Sequence, residues 1–158
     1  KGDVMQTKPI FVIILSLFLT GCEMIRHTWS DCSSRVTAVE EGSRVTLRTP
    51  DAGGEVYARL NGVSGLCNEM ADMVDVRIKI GLKLVRGLSQ NENVVELELP
   101  VLIAILDSQD IVESYETVSY KMTFPSGTNT LYPVITPKTQ MQKSGRVILS
   151  LAPKVIKP

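Results

Sequence analysis

The sequence contains three cysteines and a single histidine, the side chains best suited to nucleophilic and soft-metal chemistry. A thiol can be acylated, oxidised to a disulfide or used as a metal ligand, and each use needs different surroundings. A lone imidazole at His27 is too little for a histidine-rich zinc site. No second pair of soft ligands lies near Cys32 or Cys67. We therefore expect no metal and no cofactor.

The first cysteine, Cys22, follows an apolar segment with the features of an export signal. Lys8 precedes the run Ile10–Leu19, which as a helix would cross only about half of a bilayer core of about 30 Å. A short apolar run between a lysine and small residues is typical of a signal peptide that is removed. We expect translation to start at Met5, so that Lys1–Val4 are upstream sequence read in the same frame.

The residues Leu19, Thr20, Gly21 and Cys22 resemble the bacterial lipobox. The resemblance implies that the thiol of Cys22 receives a diacylglyceryl group, that a signal peptidase cuts before it, and that the new amino terminus is acylated. Two or three acyl chains make a stable membrane anchor, where one would be marginal. Glu23 departs from the aspartate that retains enterobacterial lipoproteins in the inner membrane, which favours the outer membrane.

The two remaining cysteines, Cys32 and Cys67, are an even pair in a chain expected to reach an oxidising compartment. Such a pair predicts one disulfide. The alternative is two unrelated thiols, one of them buried. A disulfide here would stabilise the fold by about 4 kcal/mol, from the loss of chain entropy in the unfolded state.

A hydrophobic period of two dominates the chain beyond Asp31. It is clearest in Met73–Val85, where apolar and mostly charged residues alternate as in a strand half buried in an antiparallel sheet. Val95–Leu106 and Ile111–Phe124 predict two more strands. Pro100 indicates a bend where its strand passes from a sheet edge to a buried position.

The rest of the chain predicts shorter strands separated by turns. The strand candidates are Arg35–Val39, Arg44–Thr49, Glu55–Val63, Leu131–Ile135 and Arg146–Leu151. The turns and loops are Pro50–Gly54, Gly87–Asn93, Asp107–Asp110, Pro125–Asn129 and Pro137–Gly145. Seven or eight strands predict one all-β domain, an antiparallel β-sandwich of immunoglobulin or fibronectin type III shape. The cations of Met73–Val85 are expected to pair with Glu96 and Glu98 across a hairpin.

The chain thus divides into residues 1–21 for the leader, 22–30 for a lipid-anchored tether and 31–158 for the sandwich. Trp29 in the tether has two interpretations of equal weight, a place among lipid headgroups or a cover for the base of the domain.

A wider resemblance rests on motifs that run through most of the mature chain. The motifs are the lipobox, a cysteine that opens the domain, Asn61–Cys67, Leu99–Val101, the hairpin Asp107–Asp110 and Phe124–Pro125. Together they resemble a group of uncharacterised alphaproteobacterial envelope lipoproteins with a small β-sandwich domain. The resemblance implies fold and anchoring, and no activity.

Two arrangements approach catalytic or metal chemistry without completing it. Ser64 within Gly62–Leu66 does not complete a nucleophile elbow, because Leu66 stands where the second glycine belongs and no histidine is near. We interpret these glycines as a tight strand-to-turn connection leading to Cys67. Calcium would need oxygen ligands that converge at one hairpin tip, and the candidates are Asp107, Asp110 and Glu113.

Charge and composition exclude further classes of function. The 17 basic and 17 acidic side chains leave no net charge, so nucleic acid is not an expected partner. We expect a non-catalytic, lipid-anchored periplasmic module whose partners are the membrane and an envelope protein. One alternative binds envelope glycan or a small ligand, on a concave sheet face with exposed Tyr57, Tyr115 or Tyr132. Another is a small hydrolase, which needs two carboxylates about 5 to 10 Å apart in a pocket.

Overall fold

Alternating apolar and polar side chains fold this chain into two β-sheets packed face to face. The computed structural model describes residues 28–48, 54–87 and 93–151. Within these ranges there are eleven strands and two 3₁₀ turns, at Ser33–Arg35 and Glu41–Ser43. The strands are β1 (Ser30–Asp31), β2 (Val36–Ala38), β3 (Arg44–Arg48), β4 (Glu55–Glu69), β5 (Met73–Arg86), β6 (Val95–Leu106), β7 (Val112–Phe124), β8 (Thr130–Leu131), β9 (Val134–Ile135), β10 (Lys138–Gln142) and β11 (Arg146–Leu151). The predicted all-β sandwich is confirmed, with more strands than the seven or eight expected.

The first sheet is built around the hairpin β4–β5. One edge of β4 pairs with β3 near its start and with β1 near its end. The far edge of β5 pairs in turn with β8, β9 and β10. All of these pairings are antiparallel.

The second sheet has the order β2-β11-β6-β7, in which β2 and β11 are parallel and the other pairs antiparallel. Its longest pairing is the hairpin β6–β7. The amino-terminal segment therefore contributes a strand to each sheet, since β1 belongs to the first and β2 to the second.

The core lies between the two sheets and contains the inward side chains of every second position. On β5 these side chains are fully buried from Val74 to Leu84. They meet the buried row of β6 and β11, which consists of Val95, Leu97, Leu99, Val101, Ile103, Val147, Leu149 and Leu151. The period of two in the sequence is thus the period of the core.

The segment interpreted as a strand-to-turn connection is the middle of β4, so that interpretation is wrong. β4 continues to Glu69, and its one irregularity is a register shift between Leu60 and Gly62. Gly65 has a packing role, because a Cβ there would lie 2.6 Å from Cγ2 of Val36 and 3.3 Å from Sγ of Cys32.

Two other predicted boundaries also change. The segment Pro137–Gly145 is not all loop, because β10 forms within it along the edge of β5. The predicted strand Leu131–Ile135 divides into β8 and β9. Pro100 lies at the expected change from sheet edge to interior, since β11 pairs with β6 only from Val101 onward. The bend expected there does not interrupt the register, because pairing with β7 is regular from Val95 to Ile105.

The expected pairing between the cations of β5 and the glutamates of the next strand is wrong. β5 belongs to the first sheet and β6 to the second. The outward side chains of Lys79 and Lys83 therefore lie on one face of the sandwich, and those of Glu96 and Glu98 on the opposite face.

Candidate functional site

The predicted lipidation motif of Leu19, Thr20, Gly21 and Cys22 lies outside the described residues. The predicted disulfide lies within them: Cys32 and Cys67 are bonded, with their Cα atoms 5.7 Å apart. Both side chains are buried. The bond ties the segment between the two sheets to the central strand β4, which confirms this part of the prediction.

The other chemical candidates are not assembled into a reactive site. Ser64 lies in the middle of β4, directly opposite Lys79 on β5. At the β6–β7 hairpin, Asp107 accepts hydrogen bonds from the backbone N–H groups of Gln109 (2.8 Å) and Ile111 (2.9 Å). This carboxylate shapes the turn.

The two other acids that were weighed as calcium ligands contact other partners. Asp110 forms an ion pair of 2.6 Å with Arg146 on β11. Glu113 accepts a hydrogen bond of 2.6 Å from the amide of Gln142. The three carboxylates therefore do not converge, and no cluster of three or more potential metal ligands occurs in the described ranges.

Trp29 contacts the domain at the end of the predicted tether. Its ring lies 4.4 Å from the guanidinium carbon of Arg77, a cation–π contact on the outer side of β5. Asp75, Lys138 and Gln140 line the same small cavity of about 310 Å³. The amino-terminal segment therefore reaches the sandwich on the outer face of the first sheet.

Three cations stand side by side on that outer face, on three neighbouring strands. Arg44 of β3 lies opposite Arg59 of β4, which lies opposite Lys83 of β5. We call these residues the cationic row. Like charges directly opposite one another destabilise a sheet. Within the described ranges, no member of the row has a carboxylate within ion-pair distance.

The cationic row lines an open cavity of about 540 Å³. Thr46, Tyr57 and Val85 complete its outward lining, and none of the described residues that line it is a carboxylate. Tyr57 is 55% exposed and Tyr132 62% exposed. The amino group of Lys83 lies 5.7 Å from the ring of Tyr132. The cavity combines positive charge with aromatic surface.

Positive charge extends over the whole outer side of the first sheet, which we call the cationic face. Its outward cations are Arg44, Arg48, Arg59, Arg77, Lys79, Lys83 and Lys138. Its outward carboxylates are Asp31, Glu55 and Asp75. Glu55 pairs with Arg48 and Asp75 accepts a hydrogen bond from Gln140. The excess of cations is hidden in the formal net charge of zero.

The second candidate surface is the free edge of β7. This 13-residue strand pairs with β6, and in the described ranges no strand covers its other edge. Its first six residues are exposed on both faces. Tyr115 is 74% exposed and Val112 53% exposed. A long exposed edge with apolar side chains is a template for pairing with another chain.

The hydrogen-bond register shows which backbone groups of β7 face this free edge. The carbonyl of Leu149 on β11 accepts a hydrogen bond from the backbone N–H of Val39, just after β2. Because β2 and β6 flank β11 on opposite edges, this carbonyl points away from β6. The direction of the backbone N–H and C=O groups alternates along a strand, so those of Ile148 point toward β6. The backbone groups of its partner Ala104 on β6 therefore point back toward β11. Pro100 lies four positions before Ala104 on β6, an even number, so its backbone carbonyl also points toward β11. Its opposite residue on β7, Ser119, must point its N–H and C=O outward.

Two carboxylates do share a cavity, which the hydrolase alternative requires. Glu96 and Glu98 line a cleft of about 270 Å³ between the start of β6 and the end of β3. They are next-but-one neighbours on one face of the same strand, so their Cα atoms are about 7 Å apart. Glu98 lies opposite Lys121 of β7, an arrangement typical of a cross-strand charge pair.

Arg86 is a structural residue that was not predicted from the sequence. It is only 2% exposed, and its guanidinium donates to the carbonyls of Asn93 (2.6 Å), Thr128 (2.6 Å) and Pro125 (2.8 Å). The guanidinium also lies 5.2 Å from the ring of Phe124. The sequence did contain a signal, because Arg86 continues the inward series of β5 after Leu84.

No protein-family model, curated protein or solved structure matches this chain. Among the described residues, no helix has the length and apolar character needed to cross a membrane.

Proposed function

We propose that this protein is a non-catalytic interaction module of the bacterial cell envelope. A lipid anchor at Cys22 holds it at the periplasmic side of the outer membrane, and an envelope protein binds by adding a strand to β7. The observation that carries this proposal is the free edge of β7, exposed on both faces over its first half. Strand addition obtains affinity from main-chain hydrogen bonds and specificity from alternate side chains.

The edge lacks two of the features that protect edge strands from pairing, proline and a short length, although Glu113 and Glu116 place charge in its exposed half and its pairing with β6 has one irregularity, at Ile105/Leu106. It contains no proline, and its one lysine is Lys121 near the far end. Proteins commonly blunt such edges with proline, short strands or several lysines. The apolar side chains of Ile111, Val112 and Tyr115 remain exposed beside it. An exposed edge of this length fits a surface that is covered in the assembled state.

A proline substitution tests the strand-addition proposal. Ser119→Pro removes an outward N–H of β7 and leaves the ladder to β6 intact, whereas Ser119→Thr keeps the N–H and serves as the matched control. A photo-crosslinking amino acid at Thr117 should form an adduct with an envelope protein in intact cells. The adduct should disappear in Ser119→Pro and persist in Ser119→Thr. Equal adducts in both variants would refute pairing through this edge.

A cysteine substitution tests the anchor separately. Cys22→Ser should prevent acylation and leave the protein unprocessed, because the lipobox peptidase requires the lipidated cysteine. The measurement is incorporation of labelled fatty acid together with fractionation of the cells. A Cys22→Ser protein that remained in the membrane with its leader removed would contradict lipid anchoring.

A further inference from the structure

The cationic row breaks a rule of sheet stability, and in the described part of the chain no carboxylate forms an ion pair with it. Neighbouring strands are about 4.8 Å apart, so Arg44, Arg59 and Lys83 hold three positive charges within about 10 Å along the row. Each is directly opposite the next. Proteins violate such local rules mostly at functional sites. The row is therefore best explained by an anionic partner that is absent from the isolated chain.

The charge is spread over a surface and does not converge on one point. Arg77 and Lys83 lie on the same side of β5, six residues apart, which is about 20 Å along a strand. Lys79 lies between them, and Lys138 is beside Arg77 on β10. A small anion would contact only one end of this array. A planar array of phosphate groups would contact all of it.

Aromatic side chains accompany these cations on the same face. Trp29 stacks on Arg77 at one end of the face, and Tyr132 lies beside Lys83 toward the other. Tyr57 is exposed within the cavity of the cationic row. Tryptophan and tyrosine are enriched at the headgroup level of membranes, because their rings are apolar and carry a polar group.

The path of the chain brings this face close to the predicted anchor. Trp29 touches the cationic face, and Cys22 lies seven residues earlier in the sequence. A fully extended stretch of that length reaches at most about 25 Å. This step rests on the anchor proposed above, whereas the charge and aromatic arguments do not.

We propose that the cationic face is a docking surface for anionic lipid headgroups, so that the sandwich lies with its first sheet against the membrane. The lipid phosphates occupy the cationic row and the positions beside Lys79, Arg77 and Lys138. The second sheet then faces away from the lipid. In this orientation the free edge of β7 remains accessible to a protein partner.

Vesicle binding by an unlipidated chain tests the proposal independently of the anchor. The mature chain carrying Cys22→Ser is exported on a non-lipoprotein leader, so that the disulfide forms. It should cosediment with phosphatidylcholine vesicles that contain phosphatidylglycerol, and not with pure phosphatidylcholine. Arg59→Gln with Lys83→Gln should weaken binding about 25-fold, at about fivefold per cation. The matched control, Lys121→Gln with Lys143→Gln, removes two exposed cations elsewhere and should bind like the parent.

The single tryptophan of the chain gives a second readout. Emission from Trp29 should shift to shorter wavelength on anionic vesicles and be quenched by lipids brominated on their acyl chains. Absence of vesicle binding, or equal weakening by the control pair, would overturn the proposal. It would also be overturned if the chain ignored vesicles but bound soluble polygalacturonate through Arg59 and Lys83, which would assign the face to an anionic glycan. A failed anchor would show in the Cys22→Ser experiment and leave this result unchanged.

Discussion

The buried guanidinium of Arg86 allows the sharpest prediction about stability. Arg86→Met keeps much of the side-chain volume but leaves three backbone carbonyls without their donor. A hydrogen bond to a charged group contributes about 1.5 to 3 kcal/mol, and less where water can replace the donor. Because Asn93 and Pro125 are at exposed positions, water will recover part of the loss. We expect a decrease of about 3 kcal/mol in the free energy of unfolding.

Equilibrium unfolding in urea measures this loss, with Arg48→Met as the matched control. Arg48 is an exposed arginine in a surface ion pair of 3.7 Å with Glu55, and its replacement should cost well under 1 kcal/mol. Arg86→Lys should fall between parent and Arg86→Met, since an ammonium group cannot reach all three carbonyls at once. Hydrogen exchange should also accelerate at the amide of Thr128, which donates a hydrogen bond to the carbonyl of Pro125. If Arg86→Met were as stable as Arg48→Met, the hydrogen bonds from the guanidinium to Asn93, Pro125 and Thr128 would not stabilise the fold.

Three further predictions concern the disulfide, its packing and one tyrosine. Replacing Cys32 and Cys67 together by alanine should cost about 4 kcal/mol and raise the urea m-value, because the unfolded chain becomes less compact; an unchanged urea midpoint would contradict this. Gly65→Ala should cost about 2 kcal/mol in the same assay, because its Cβ would overlap Val36, and a neutral result would mean that β4 shifts freely. Burial and then the charge of Glu116 raise the pKa of Tyr120 above 10.0, so the folded state favours the neutral phenol. The melting temperature should therefore fall as pH rises above 10, and fall less in Tyr120→Phe; identical pH profiles would refute the assignment.

Much of the strand pattern follows from the sequence because the core needs a period of two. The series from Val74 to Leu84 is unambiguous, since a helix could not bury those residues on one side. The disulfide was predictable for a different reason: with Cys22 set aside as the predicted lipidation site, two cysteines remained, and these two are bonded. The first prediction needs only the residues of one strand, and the second needs only the number of cysteines in the chain.

The missed features depend on which strands become neighbours. β10 has only one fully inward apolar residue, Met141, because it lies along a sheet edge, so its sequence has the composition of a loop. Opposite charges on β5 and β6 favoured a hairpin between them, yet the chain crosses there from one sheet to the other. The cationic row likewise joins residues from three strands, and no single segment contains more than one of its members.

The disulfide has a mechanical consequence for the proposal that the amino terminus of this domain is anchored. Between Trp29 and Cys32 the chain is bound to β4 by only two residue pairs, Ser30 with Cys67 and Asp31 with Leu66. A pulling force on this end would peel β1 away pair by pair with little resistance. At Cys32 the force meets a covalent bond and passes directly into β4, the strand held by β5 along almost its whole length. Unravelling from the amino-terminal end therefore stops at the first cysteine of the domain, and the rest of the sandwich must yield as a unit.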